Sequence, residues 1–209
     1  MATLDDRIVF EKSEFDYLNP VAEVVIVGIT PGNSQMKKSR EGMGPREIKR
    51  INAFCGGMRP NIIAMLDHIG VNKLLGIESC RTLWEEDFFR VHMTSLLKDA
   101  TYEITKNGKQ MFKDVRKIAK SEKLTDMLNK GFVEECKQLQ KARLFIACGP
   151  GVLEVLERLQ SQGIINAPIV AIAHPSGANA GRIAAYLGKT DLWPVEQSQR
   201  AKSTIAEML

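Results

Sequence analysis

Four short apolar runs constrain this chain more than any other feature: "EVVIVG" (23–28), "FFRVHMTS" (88–95), "RLFIACG" (143–149) and "PIVAIAH" (168–174). Three of them are continuously apolar, as strands covered on both faces must be. Helical patterns separate them. "RPNIIAMLDHIG" (59–70) carries Pro60 in its first turn and stops at Gly70. "GVLEVLERLQSQG" (151–163) repeats apolar residues at Val152, Val155, Leu156 and Leu159, and "GANAGRIAAYLG" (177–188) and "SQRAKSTIAEML" (198–209) complete the set. Strands alternating with helices predict an α/β fold. Its central sheet is four-stranded and mainly parallel, with helices on both faces, in a three-layer αβα sandwich. At 209 residues the chain fits one domain over 1–209.

In open parallel sheets, ligands bind outside the carboxyl ends of the strands. The segments at those ends are "ITPGNSQ", "TSLLKD", "CGPG" and "HPSGANAGR", and they are expected to converge on one crevice. Gly28 and Gly32 permit close backbone approach, and Pro31 stiffens the turn between them. Ser176 stands near a helix start, where free amides favour a phosphate. Neither GxGxxG nor GxxxxGK[ST] occurs, which argues against dinucleotide and P-loop chemistry.

Other classes are excluded by composition. No apolar run approaches the roughly 20 residues that cross a bilayer. The start "MATLDDRIVF" lacks a signal-peptide pattern, so a cytoplasmic location is expected. Cys55, Cys80, Cys136 and Cys148 are scattered without a CxxC pair, which predicts reduced, buried thiols and no metal site. No cofactor is implied. His68 and His92 have no metal-ligand neighbour at useful spacing and read as ordinary structural residues. The net charge is only +4, but it is unevenly spread: seven Lys/Arg against two acids over 106–123, and six against two over 37–50. Such runs are either solvated faces or surfaces that meet phosphates.

Two motifs together resemble the uracil-DNA glycosylase superfamily: Gly28-Ile29-Thr30-Pro31-Gly32 after the first apolar strand and His174-Pro175-Ser176-Gly177 after the last. "FCGGMRPNIIAMLDHIGV" (54–71) and "VHMTSLLK" (91–98) are similar to that family's aromatic-then-helix stretch and its base-reading strand. The resemblance spans about residues 22–190, around a basic, insertion-like segment near 103–125. It implies a uracil-DNA-glycosylase-like fold and a monofunctional glycosylase that flips a base out of DNA and hydrolyses its glycosidic bond, leaving an abasic site. DNA is the implied partner, a monomer the implied state, and no membrane or cofactor is involved.

The resemblance also implies roles. Gly28, Ile29, Pro31 and Gly32 border the substrate, Phe54 supplies a flat face to the flipped base, and Ser95 reads its edge. His174 donates a hydrogen bond to a carbonyl of the leaving base. Ser176, Gly177, Asn179 and Arg182 lie against the duplex; apart from the resemblance, the charge run of the basic segment offers Lys113, Arg116 and Lys117 to phosphates. Two positions depart from the pattern. Thr30 stands where many members place an Asp or Asn that orients water, leaving Asn33 to position the water and Glu41 or Glu47 as possible bases. Ser95 replaces an Asn that reads uracil, which leaves room for another base, such as a bulky modified cytosine of phage DNA. Alternatives are a catalytically weak DNA- or base-binding protein of the same fold, and a small-molecule nucleotide hydrolase or transferase on a similar sheet.

Overall fold

The β-branched runs pair as their pattern predicts. The computed structural model describes residues 3–13, 17–36, 43–190 and 195–209, apart from the side chain of Ser34. In chain order the strands are β1 (Ile8–Glu11), β2 (Val24–Gly28), β3 (Val91–Ser95), β4 (Ala100–Thr105), β5 (Gly108–Met111), β6 (Leu144–Cys148) and β7 (Ile169–Ile172). The helices are α1 (Asn33–Met36), α2 (Pro45–Asn52), α3 (Met58–Ile69), α4 (Val71–Leu75), α5 (Glu122–Met127), α6 (Glu134–Cys136), α7 (Pro150–Ser161), α8 (Ala180–Tyr186) and α9 (Val195–Ala206).

The strands β3-β2-β6-β7 form a four-stranded parallel sheet in that order. Val24 pairs with Val91 on one side and Leu144 on the other, and Gly28 reaches Ser95 at the carboxyl end. Every residue of β2 and β6 is buried, which explains why these strands read as unbroken apolar runs. Alternate residues feed two cores. Val24, Ile26 and Ile146 pack with Ile62, Met65 and Leu66 of α3, Tyr186 of α8 and Ile205 of α9. Val25, Val27 and Phe145 pack with Val155, Leu156 and Leu159 of α7 and with Leu124 and Phe132. The result is a three-layer α/β/α sandwich, as the alternation predicts.

Two expectations need correction. The run 88–95 is a strand only from Val91; Glu86–Arg90 is a 3-10 turn that buries Phe88 in the α3-side core and leaves Phe89 exposed. The segment near 103–125 is not a separate insertion. Its first part supplies β4 and β5, which join β1 in a second, antiparallel sheet of order β1-β4-β5. A two-residue loop, Lys106-Asn107, links β4 to β5, whose first residue, Gly108, takes φ +88°. All four cysteines are buried and unpaired. No helix among the described residues is long and apolar enough to cross a membrane.

Candidate functional site

All four strands of the parallel sheet deliver their following segments to one edge. Where the sequence suggests a single crevice, these segments border two concavities, one lined by Pro31 and Phe54 and the other by Ile29 and His174.

The first cleft lies at the ends of β2 and β3. Phe54, Ser95, Pro31, Gln35, Lys49 and Met93 are among the walls of this narrow cleft, which opens to solvent. The Phe54 ring lies against Gly28: a Cβ there would sit 3.2 Å from Phe54 Cε1 and 3.6 Å from Ser95 Oγ. Gly28 thus serves close approach of an aromatic ring to the strand end. Gly28→Ala is expected to push the ring aside and destabilise the protein by about 1–3 kcal/mol. Denaturant unfolding measures this, and an unmoved midpoint would show that the ring yields freely.

The second cleft lies at the ends of β2, β6 and β7. His174, Ile29, Lys113, Arg116, Gly149 and Glu154 are among its walls, around about 830 Å³ of open space. His174 Nδ1 accepts the Ser176 N–H at 3.4 Å, and lies 3.2 Å from Ser176 Oγ and 3.4 Å from Asn179 Nδ2. Donors converge on Nδ1, so the proton of the neutral ring belongs on Nε2. Burial, and then the charge of Lys113, lower the His174 pKa below its ordinary value and favour that neutral form. Asn61 of α3 donates to the Pro175 carbonyl at 2.8 Å and ties this turn to the helix layer. Gly149 has φ +105° and would bring a Cβ within 3.4 Å of His174 Cβ.

The other sequence candidates take varied places. Thr30 Oγ1 donates to the Asp99 carbonyl at 2.8 Å and accepts the Thr101 N–H at 2.9 Å. Its hydroxyl therefore joins the β2 loop to the start of β4, and Thr30 lines neither cleft. Asn33 is exposed at the start of α1 and meets the Tyr102 hydroxyl at 2.9 Å, itself 3.0 Å from Glu11 Oε2. Gly32 N–H donates to Gln35 Oε1 at 2.6 Å. Ser176 engages its N–H with His174, and its hydroxyl accepts from Asn179 Nδ2 at 2.9 Å, while Gly177 and Arg182 are exposed on the same turn and helix. Lys117 pairs with Glu103 at 2.6 Å and Arg116 with Asp114 at 3.2 Å; Lys113 has no ion-pair partner among the described residues. Glu47 pairs with Arg50. Glu41 lies outside the described residues.

A sequence relative, the uncharacterized protein YoxB of Bacillus subtilis (strain 168), is 31% identical over 182 residues, covering 80% of this chain and 70% of its own. The chain belongs to the YoxB family. No protein-family model matches it. Among solved structures, wild-type Pedobacter heparinus SMUG2 aligns with 89% of this chain and 74% of its own, at 15% identity and a TM-score of 0.47.

One feature of this YoxB-family chain is hidden in its sequence. Behind Ser95 lies a buried polar cluster centred on Glu135. Lys98 Nζ reaches Glu135 Oε1 at 2.5 Å, and Thr94 Oγ1 donates to Oε2 at 2.6 Å. His92 accepts the Asn19 N–H at Nδ1 (3.4 Å) and holds Nε2 3.0 Å from Glu135 Oε1, out of line for a hydrogen bond. Thr94 and Lys98 also border a recess with Ser13, Pro31, Lys49 and Ser95, so the cluster underlies the first cleft. A π-helical stretch, Leu128–Val133, joins α5 to α6 and carries Gly131. A Cβ at Gly131 would meet Lys98 Cγ at 2.5 Å, so the missing side chain makes room for the lysine stem. The sequence signal was a threonine and a lysine at i, i+4 beside a strand end, with an unpaired-looking Glu-Glu 37 residues beyond the lysine.

Proposed function

We propose that residues 1–209 act as a monofunctional DNA glycosylase of the uracil-DNA glycosylase type. One observation carries the reading: in the His-Pro-Ser turn the Ser176 N–H and the Asn179 amide converge on His174 Nδ1, which leaves Nε2 to carry the proton of a neutral ring, at the sheet edge where that motif is expected to meet a leaving base. Hydrolysis of the glycosidic bond breaks C1′–N and delivers the bonding pair to the base. Water adds to C1′, and the base finally takes up a proton. A donor aimed at a carbonyl that gains negative charge strengthens only as the bond breaks. Such preorganised donation is worth about 3–4 kcal/mol. Phe54 and Ser95 offer a face and an edge to an extruded base, and Lys113 and Arg116 offer charge to flanking phosphates.

The test is direct. Oligonucleotides carrying uracil, thymine or modified cytosines are incubated with the protein and heated in alkali. Strand scission at the test base supports the reading; intact strands throughout reject it.

A second reading has its own support. Thr30 is engaged by backbone groups, and no carboxylate is among the described residues lining the Phe54 cleft. A protein that binds DNA or a base and cuts weakly fits this, and would give a gel shift without scission.

Under either reading, binding falls steeply with salt because phosphate neutralisation releases counterions. Replacing Lys113 and Arg116 with Ala is expected to reduce the slope of log K against log salt by about 0.9 for each phosphate no longer neutralised. Lys117→Ala, whose amine faces Glu103, should leave the slope nearly unchanged. Equal slopes in all variants would make this segment a solvated face.

A further inference from the structure

Phe54 is the one non-glycine residue among the described residues with a positive φ, at +50°. A bulky side chain in the left-handed region costs on the order of 1–3 kcal/mol and persists only where surrounding structure imposes it. The residue is also 8% exposed, with its ring held against Gly28. Something must hold the turn between α2 and α3 in this conformation.

The carbonyl preceding Phe54 shows what does. Ala53 O accepts two side-chain bonds, from Trp84 Nε1 at 3.2 Å and from Arg59 NH2 at 3.2 Å. The same Arg59 nitrogen donates to Ile51 O at 2.6 Å and Arg50 O at 3.2 Å. Its guanidinium stacks 5.6 Å from the Trp84 ring centroid, while Arg59 Nε is buried with no partner. One guanidinium group thus binds three carbonyls at the end of α2, against an indole that binds one of them. A simple helix cap accounts for the carbonyls of Arg50 and Ile51, which a helix end leaves unpaired. It does not account for the convergence on Ala53, beyond the helix and one bond before the strained residue.

We propose that Arg59, backed by Trp84, is a positioning residue that holds Phe54 in its left-handed conformation and so sets the aromatic wall of the first cleft. The catalytic part of this inference rests on the glycosylase reading; the conformational part does not. Arg59 is not among the residues lining that cleft; it borders a separate groove with Arg50, Arg81 and Trp84.

The experiment is a double-mutant cycle in thermal unfolding. Glycine adopts a positive φ without strain, so Phe54→Gly removes the need for the clamp. Arg59→Met is expected to lower Tm by about 5 °C in the natural background and by clearly less in Phe54→Gly. Arg59→Lys, which keeps a donor, should fall between and serves if Arg59→Met does not fold. Equal losses in both backgrounds overturn the proposal. For a base that the natural protein excises, Arg59→Met should lower kcat by about 10–10²-fold, as a displaced platform does, with added guanidinium ion restoring part of it. An unchanged kcat also overturns it. Failure of the natural protein to excise any base would count against the glycosylase reading alone, since the unfolding cycle needs no substrate.

Discussion

His174→Ala is expected to lower base excision by about 10²–10³-fold while changing DNA affinity little. Under the proposed mechanism the lost bond belongs to the transition state: the Nε2–H would face a neutral carbonyl before the bond breaks and a near-anion as it does. Single-turnover excision and a binding titration on the same oligonucleotide separate the two effects. A parallel loss of affinity and rate would make His174 a binding residue, and full activity would remove it from the reaction. The pH profile gives a second readout. Burial and Lys113 hold His174 below the ordinary histidine value of 6.5, so the neutral donor persists as pH falls through that value. Excision should therefore show its acid limb below 6.5. Lys113→Ala, which removes one of the two causes, should move the limb upward.

This expectation was partly legible in the sequence, and the reason is local. The Nδ1 interactions of His174 come from Ser176 and Asn179, two and five residues along the chain. A short motif can carry such a site by itself. The parallel sheet is legible for a similar reason, because three of its strands, β2, β6 and β7, carry no polar side chain to confuse the pattern. Helices α3 and α7 announced themselves by period, with Gly70 at φ +92° closing the first.

The small antiparallel sheet was missed for the opposite reason. Three of the four residues of β5, "GKQM", are exposed and carry almost no apolar signal, and β1 lies about 90 residues from its partner β4. Only the Asn107-Gly108 pair hinted at a hairpin. Thr30 reads as a catalytic candidate in the sequence because it stands where the family pattern puts a water-orienting Asp or Asn. Its actual partners, the Asp99 carbonyl and the Thr101 amide, exist only once β4 packs beside the loop. The clamp on Phe54 was hidden as well, since a positive φ at phenylalanine is set by Arg59 and Trp84 rather than by preference.

The Glu135 cluster makes the largest claim on stability. Glu135 is 7% exposed, and Lys98 and Thr94 are its hydrogen-bond donors. Removing the carboxylate takes the acceptor of both the Lys98 and the Thr94 bonds out of a buried site, and breaking a buried pair costs about 3–5 kcal/mol. Glu135→Ala is accordingly expected to lower Tm by about 10 °C, with Glu135→Gln, which keeps shape and some bonding, losing less. Burial alone would raise the Glu135 pKa, but the Lys98 ammonium, joined by His92 wherever that ring is protonated, outweighs it and holds the carboxyl below the 4.5 of the unfolded chain. A depressed carboxyl contributes stability that is complete above 4.5 and is lost as pH falls from there through the lowered value. Buried His92, lowered chiefly by desolvation, adds a loss of the same sign that begins as pH falls through 6.5. Stability should therefore decline in two stages on acidification, and Glu135→Gln should remove the lower one. Gly131→Ala offers an independent probe, because it leaves every charge in place and only displaces the Lys98 stem. It should destabilise the natural protein far more than a Lys98→Ala variant, in which the obstructing stem is absent. An acid-stability curve identical in the natural protein and Glu135→Gln would sink this account, since a carboxylate ionised only through these partners must reveal itself when it is protonated.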